Sequence, residues 1–175
     1  MALEDVQPGT AADGNGLVVF VPALAVPGVP KVTELNGAGV EKLTYGLTPD
    51  GFAHDTSVAT IVSGRYTLAQ ALELDGVITD TVEVKYVWQG TEEDGVRNVL
   101  TPGTKGFLVK RLGVPNETPF AAGQLVTVIP VQCSIQRDVP PAANTELQKI
   151  QKLNVVGKVE RDVAAMEREL SIYKR

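Results

Sequence analysis

The stretch Thr81–Gln89 constrains the fold more than any other part of the chain. Val82, Val84, Tyr86 and Trp88 fall on one face of an extended backbone. Glu83, Lys85 and Gln89 fall on the other, with Val87 the one apolar exception. Strand side chains alternate between faces, so this period of two predicts a strand that is dry on one side and wet on the other. Trp88 is expected in the core with its face-mates. Further strands are predicted at Leu17–Val21, Val40–Leu47, Ser57–Ser63, Gly106–Leu112, Leu125–Arg137 and Lys149–Val163. Leu125, Thr127, Ile129, Val131, Cys133 and Ile135 are expected on one side of the longest. Leu153, Val155, Val159 and Val163 alternate along the last.

Turn chemistry separates these runs. Pro22, Pro27 and Pro30 demote the segment after Val21 to an edge or an extended connection. Thr48-Pro49-Asp50-Gly51 predicts a turn, because Pro presets φ and Gly accepts positive φ. Val114-Pro115-Asn116 predicts another, and Pro140-Pro141 ends the longest strand. Two short helices are expected. One is a single turn at Thr33–Gly37, with Thr33 as N-cap and Gly37 as C-cap. The second covers Asp94–Leu100, where Glu92, Glu93 and Asp94 suit the positive end of the helix dipole. Gly (17) and Pro (11) are frequent and aromatics make up only 5%, which favours strands and turns over long helices. The fold class expected is mainly β, a sandwich or a partly closed barrel with extended arms.

Catalysis has little to draw on. The chain of 175 residues has one Cys and one His, so it holds neither an internal disulfide nor a multi-His metal site. His54 beside Asp55 could be read as an oriented general base, but neighbours in sequence do not normally form such a pair, and a solvated loop histidine is the better reading. Cys133 lies mid-strand on the apolar face and is expected to be a reduced core thiol. Glu92, Glu93 and Asp94 lack further ligands at metal-binding spacing. Gly37-Ala38-Gly39 has neither phosphate-loop pattern. Lys105, in a turn, is expected to be exposed. No catalytic residue, cofactor or metal ligand is assigned. The aromatics are not interleaved with basic clusters, so nucleic-acid readout is unsupported.

The net charge is −5. Residues 1–145 hold 9 basic and 16 acidic groups, and residues 146–175 hold 7 and 5. An acidic body argues against nucleic acid held tightly through phosphates, but not against nucleic acid sliding past. The N-terminus has no basic, apolar leader, and the longest apolar stretch, Leu17–Val26, is too short to span a bilayer. Synthesis in the cytosol without a membrane anchor is expected. Residues 1–163 are expected to form one domain with an N-terminal arm at 1–16, followed by a charged, helical tail at 164–175. These two arms, and the Pro- and Gly-punctuated excursion from Pro22 to Thr56, are long for a compact monomer and suggest an interaction protein.

Several stretches carry a family resemblance. Pro30–Asn36 is followed by Leu43–Phe52, which contains Leu43-Thr44-Tyr45-Gly46-Leu47-Thr48-Pro49-Asp50-Gly51-Phe52. Leu74–Tyr86 contains Thr81-Val82-Glu83-Val84-Lys85-Tyr86. Gly106–Pro115 comes next, then Pro119–Gln124 with Val128-Ile129-Pro130-Val131-Gln132-Cys133. Gln136-Arg137, Pro140–Asn144, Gln151-Lys152-Leu153 and Arg161-Asp162-Val163 complete the series. In this order the chain resembles the major tail protein, or tail tube protein, of long-tailed actinobacterial phages of the siphovirus type, over about residues 17–163. The charged tail after Val163 is longer than that pattern.

The resemblance implies a β-sandwich subunit with one flanking helix. Hexameric rings of it would stack into a tube in the virion tail and conduct the genome. Implied partners are further copies of the chain, a tape measure protein, a tail terminator, distal tail proteins and phage DNA in passage. An acidic lumen would repel phosphate, and Glu83, Glu92, Glu93 and Asp94 are its candidate residues. Two rivals are a single-ring connector, terminator or distal-tail component, and a small ligand-binding β-sandwich using His54 and Asp55.

Overall fold

In the computed structural model, which describes residues 7–67, 69–90 and 94–167, the first apolar run is a strand, β1 (Gly16–Val21), buried on both faces. It is followed by α1 (Val32–Leu35), the two-residue β2 (Glu41–Lys42), a 3₁₀ turn at Thr44–Gly46, β3 (Leu47–Ser63) and β4 (Leu72–Val87). Next come α2 (Gly95–Val99), β5 (Lys105–Leu112), β6 (Leu125–Asp138), β7 (Gln148–Val155) and β8 (Glu160–Ala164). The strands form one antiparallel sheet in the order β2-β1-β5-β6-β7-β4-β3, with β8 also on β6. The sheet curls into a half-barrel, the mainly β architecture expected.

Alternation explains why β1 needs no wet face. Val18 and Phe20 meet Val82, Val84, Tyr86, Leu108, Ile129, Val131 and Leu153 in one core. Strands β1 and β4 are not neighbours in the sheet, so the face on which their side chains meet is the concave one. Val96 and Leu100, from α2 and its C-cap, cover it. Leu17, Val19 and Val21 pack on the convex side with Val109, Val126 and Val128, under Leu35 of α1, Leu24 and Phe120.

Several elements depart from the sequence reading. Lys149–Val163 is one extended path broken in two. β7 and β8 both run antiparallel along β6, with the break at Val156–Val159. The cause lies in β6, where Pro130 offers no N–H to continue the ladder. Only its carbonyl is used, accepting from Val156 N at 3.0 Å. Gly157 fits over the Pro130 ring, where a Cβ would come within 3.1 Å. On β6 itself the alternation changes phase at a bulge between Cys133 and Gln136. Ile135 is therefore exposed, against expectation. Gln136 turns inward and donates through Nε2 to the carbonyls of Arg97 and Leu100. Leu125 is also exposed.

Thr48–Gly51 does not separate two strands. It is a bulge inside β3, where Leu47 pairs with Tyr86 and Phe52 with Val84. Val40–Leu47 yields only β2 and the 3₁₀ turn, because Thr44 Oγ1 takes the Val18 N–H and ends the ladder. The caps of α1 are Lys31 and Asn36, not Thr33 and Gly37. Glu34 accepts from the Lys31 N–H, and Asn36 exchanges two hydrogen bonds with the Phe120 backbone. Trp88 lies past β4 and is half-buried, with Lys149 Nζ 4.7 Å from its ring centre. The folded body continues beyond Val163: Ala164 ends β8, Ala165 is fully buried, and Met166 bridges to Lys31. Residues 168–175 of the expected tail lie outside the described residues. So do residues 1–6 of the N-terminal arm, of which 7–14 are exposed and irregular.

Candidate functional site

β3 and β4 form a hairpin much longer than the body it springs from. β4 pairs with β7 only from Val82 onward. Its first half, Leu72–Thr81, has β3 as its one partner among the described residues. β3 is the last strand of the sheet, and its outer edge has no strand partner among the described residues. The result is a two-stranded arm, Thr56–Thr81, that leaves the half-barrel alone.

The arm carries more apolar surface than a wet ribbon should. Val58, Ile61, Val62, Leu72, Leu74, Val77 and Ile78 are 47% to 73% exposed. The register sorts them by face. Ile61 sits opposite Leu74, with Leu72 on the same side. Val58 sits opposite Ile78, and Val62 shares that second side. A bulge between Val58 and Thr60 accommodates Gly76, whose absent Cβ would come within 2.8 Å of the Ala59 carbonyl. An isolated hairpin is marginal in water, and so many exposed apolar side chains on one two-stranded ribbon are more than a solvated surface needs.

A polar knot, buried at His54 and Asp80 and open to solvent at Thr56 and Arg161, sits at the root of the arm. Asp80 Oδ1 accepts from Thr56 Oγ1 (2.6 Å) and from Arg161 Nη2 of β8. It lies 3.0 Å from His54 Nε2. An ionised carboxylate only accepts, so Nε2 carries the imidazole proton. The side chains of His54 and Asp80 are 6% and 9% exposed. Burial pushes the Asp80 carboxyl upward, but the bonds from Thr56, Arg161 and His54 outweigh it and hold it below the usual carboxylate range. His54 is thus a strand residue turned inward, not a solvated loop histidine. Its acid is Asp80 rather than Asp55. The nearby hydroxyl, Thr56, donates to the same carboxylate and not to the ring, so no nucleophile–base pair is formed.

The candidate acids are not brought together. Glu83 is on the wet, convex face of β4, opposite Lys152 and 3.3 Å from Arg137. Asp94 is 2% exposed and caps α2, accepting from Arg97 N and Gln89 N. Its charge is committed to a helix start on the concave side. Glu92 and Glu93 lie outside the described residues. Among the described residues, no cluster of His, Cys, Asp and Glu could hold a metal ion. Cys133 is in the core, where burial pushes its thiol up to about 11. The sequence reading missed Asp80 and Arg161, although one signal was present: Asp80 is the charged residue in phase with Val82, Val84 and Tyr86.

Among the described residues, the half-barrel carries an apolar arm with no strand partner beyond its own hairpin, and His54 and Asp80 stand without a nucleophile beside them. The profile of a family described as phage tail tube protein matches residues 4–167. The chain belongs to the phage tail tube protein family. It is a structural component of a phage tail. No curated protein matches this tail tube chain. One solved chain with a similar fold comes from the cryo-EM structure of the anti-feeding prophage baseplate, six-fold symmetrised. The two superpose with a TM-score of 0.51 over 87% of this chain and 97% of that one, at 12% identity. At that identity the likeness is one of fold. No described helix of the tail tube protein is long and apolar enough to cross a membrane.

Proposed function

We propose that this protein is the ring-forming subunit of the tail tube of a long-tailed actinobacterial phage. Six copies close into a ring, rings stack, and the stack is the conduit through which DNA leaves the particle. The exposed apolar β3–β4 arm carries this reading, because apolar side chains left in water in this number suit burial against a neighbouring copy. The unpaired outer edge of β3 suits strand addition between neighbours. The six-fold symmetry of the baseplate with a similar fold supports the copy number. The protein is not an enzyme and uses no cofactor. It is made in the host cytoplasm and contacts a tape measure protein, a terminator and distal tail proteins. DNA passes without adhering because the body is acidic. Glu83, Glu92 and Glu93 are the acids proposed for the lumen; Asp94, buried under its helix, is not.

A second reading is a single-ring connector or distal-tail component, and the baseplate origin of the similar fold favours it. Sedimentation velocity of the purified protein over a range of concentrations separates the two. A tube subunit gives polymers that grow with concentration. A discrete ring species of fixed size supports the second reading, and a monomer at every concentration contradicts both.

A further inference from the structure

We propose that Asp80 and Arg161 are positioning residues for assembly: they fix the direction in which the β3–β4 arm leaves the body. The inference rests on the reading of the arm as an assembly element. Its starting point is the arm's poor attachment. Beyond Val82 the arm shares no strand pairing with the body among the described residues. Clefts flank its root on both sides. One of about 370 Å³ lies between His54, Thr56, Lys110 and Thr127. The other, of about 430 Å³, lies between Ile78–Asp80 and Val155, Gly157 and Val159. Arg161 lines both and is the crosspiece between them. Its guanidinium reaches Asp80 on β4 and Thr56 on β3, so it grips both strands of the arm at once.

The anchor is itself fixed. Arg161 lies in β8, which pairs with β6 at Val163–Val126 and Glu160–Val128. Asp162 next to it adopts a left-handed φ of 50°, at the bulge between those two pairs. That conformation is costly for a residue with a Cβ and persists where the surroundings enforce it. Here it accompanies the presentation of the Arg161 side chain to the arm.

Geometry shows why the angle matters. From Asp80 to Leu72 the arm runs about 26 Å at ~3.3 Å per residue. A tilt of about 10° at the root would move the tip by about 4.5 Å, close to one inter-strand spacing. An arm free to swing that far can lose its register with an incoming chain, and register decides which faces meet. A twisted two-stranded ribbon does not supply such stiffness alone.

The test uses the full chain with Arg161→Met, which keeps the stem and removes the donor, and Asp80→Asn, which keeps the shape. Arg161→Lys serves as the conservative variant. Hydrogen exchange of the unassembled subunit is read first. Amides of the arm root, Thr79–Thr81, should exchange at least tenfold faster in Arg161→Met, while those of β5 and β6 stay at the wild-type rate. The onset of polymerisation should move to about tenfold higher concentration, with Arg161→Lys in between. Unchanged root exchange and unchanged onset in both Arg161→Met and Asp80→Asn would overturn the proposal. So would faster exchange throughout the body, which marks a general loss of stability. If the wild type never polymerises, the assembly reading fails, and the exchange data still decide whether this knot holds the arm.

Discussion

The triple variant Ile61→Thr, Leu72→Thr, Leu74→Thr strips one face of the arm and leaves its backbone a good strand former. Each of the three side chains is 53% to 59% exposed in the subunit. Complete burial of such a residue is worth about 1.5–3 kcal/mol, so roughly half of that, ~1 kcal/mol, remains to be gained on assembly. Three of them supply ~3 kcal/mol per seated arm. At 1.4 kcal/mol per factor of ten, the association constant should fall about 100-fold. Folding should barely notice, since exposed positions usually change stability by less than ~0.5 kcal/mol. The assay pairs the concentration at which polymer first sediments with the urea midpoint of the unassembled subunit. The account requires the first to rise about 100-fold and the second to hold. Polymerisation at the wild-type concentration would refute the reasoning, as would a collapse of the urea midpoint, since either outcome means the arm's apolar face is not an interface.

Three further outcomes rest on the same contacts. Gly51→Ala should destabilise the subunit by about 3 kcal/mol, because a Cβ there would come within 2.3 Å of the Lys85 carbonyl and 2.6 Å of Thr48 N, all backbone; a wild-type urea midpoint would contradict the bulge geometry. Cys133 should resist a thiol reagent at pH 8 and react at least a hundredfold faster in denaturant, since its thiol is buried and its pKa raised to about 11; quick labelling of the native subunit would place it elsewhere. Asp80 has a folded-state pKa below its unfolded value, so its contribution is present above the usual carboxylate range and lost as pH falls through the lowered value. Between pH 5 and pH 2 the wild type should therefore lose stability more steeply than Asp80→Asn, and equal slopes would remove the knot from the account.

Strands were legible where one physical rule dominated. Val82, Val84 and Tyr86 alternate without interruption, and all three are buried as the period demands. Asp94 was readable as a helix start because an acid before a short apolar run has one cheap use there. Phase was lost wherever the backbone inserted a residue. The bulge after Cys133 put Ile135 outside and Gln136 inside, and nothing in the local composition announces it. The Pro130 break was similarly hidden, because it acts on the partner strand at Val156–Val159 and not on Pro130's own. The arm was half visible. Ser57–Ser63 reads as a strand, but its partner in the arm, Leu72–Asp80, does not: the predicted strand begins only at Thr81, and the joining of β3 and β4 into one hairpin that outruns the sheet is a fact of pairing. The Asp80 knot needed three strands to meet, and 81 residues separate Asp80 from Arg161. Its one trace in the sequence is a carboxylate on a face that is otherwise apolar.

The central claim is that the exposed arm and the open sheet edge exist to join copies of this chain into a tube. Negative-stain electron microscopy of the concentrated, purified protein tests it most directly. The account predicts hollow tubes with regular cross-striations and six-fold end views; uniformly dispersed single subunits at the same concentration would contradict it.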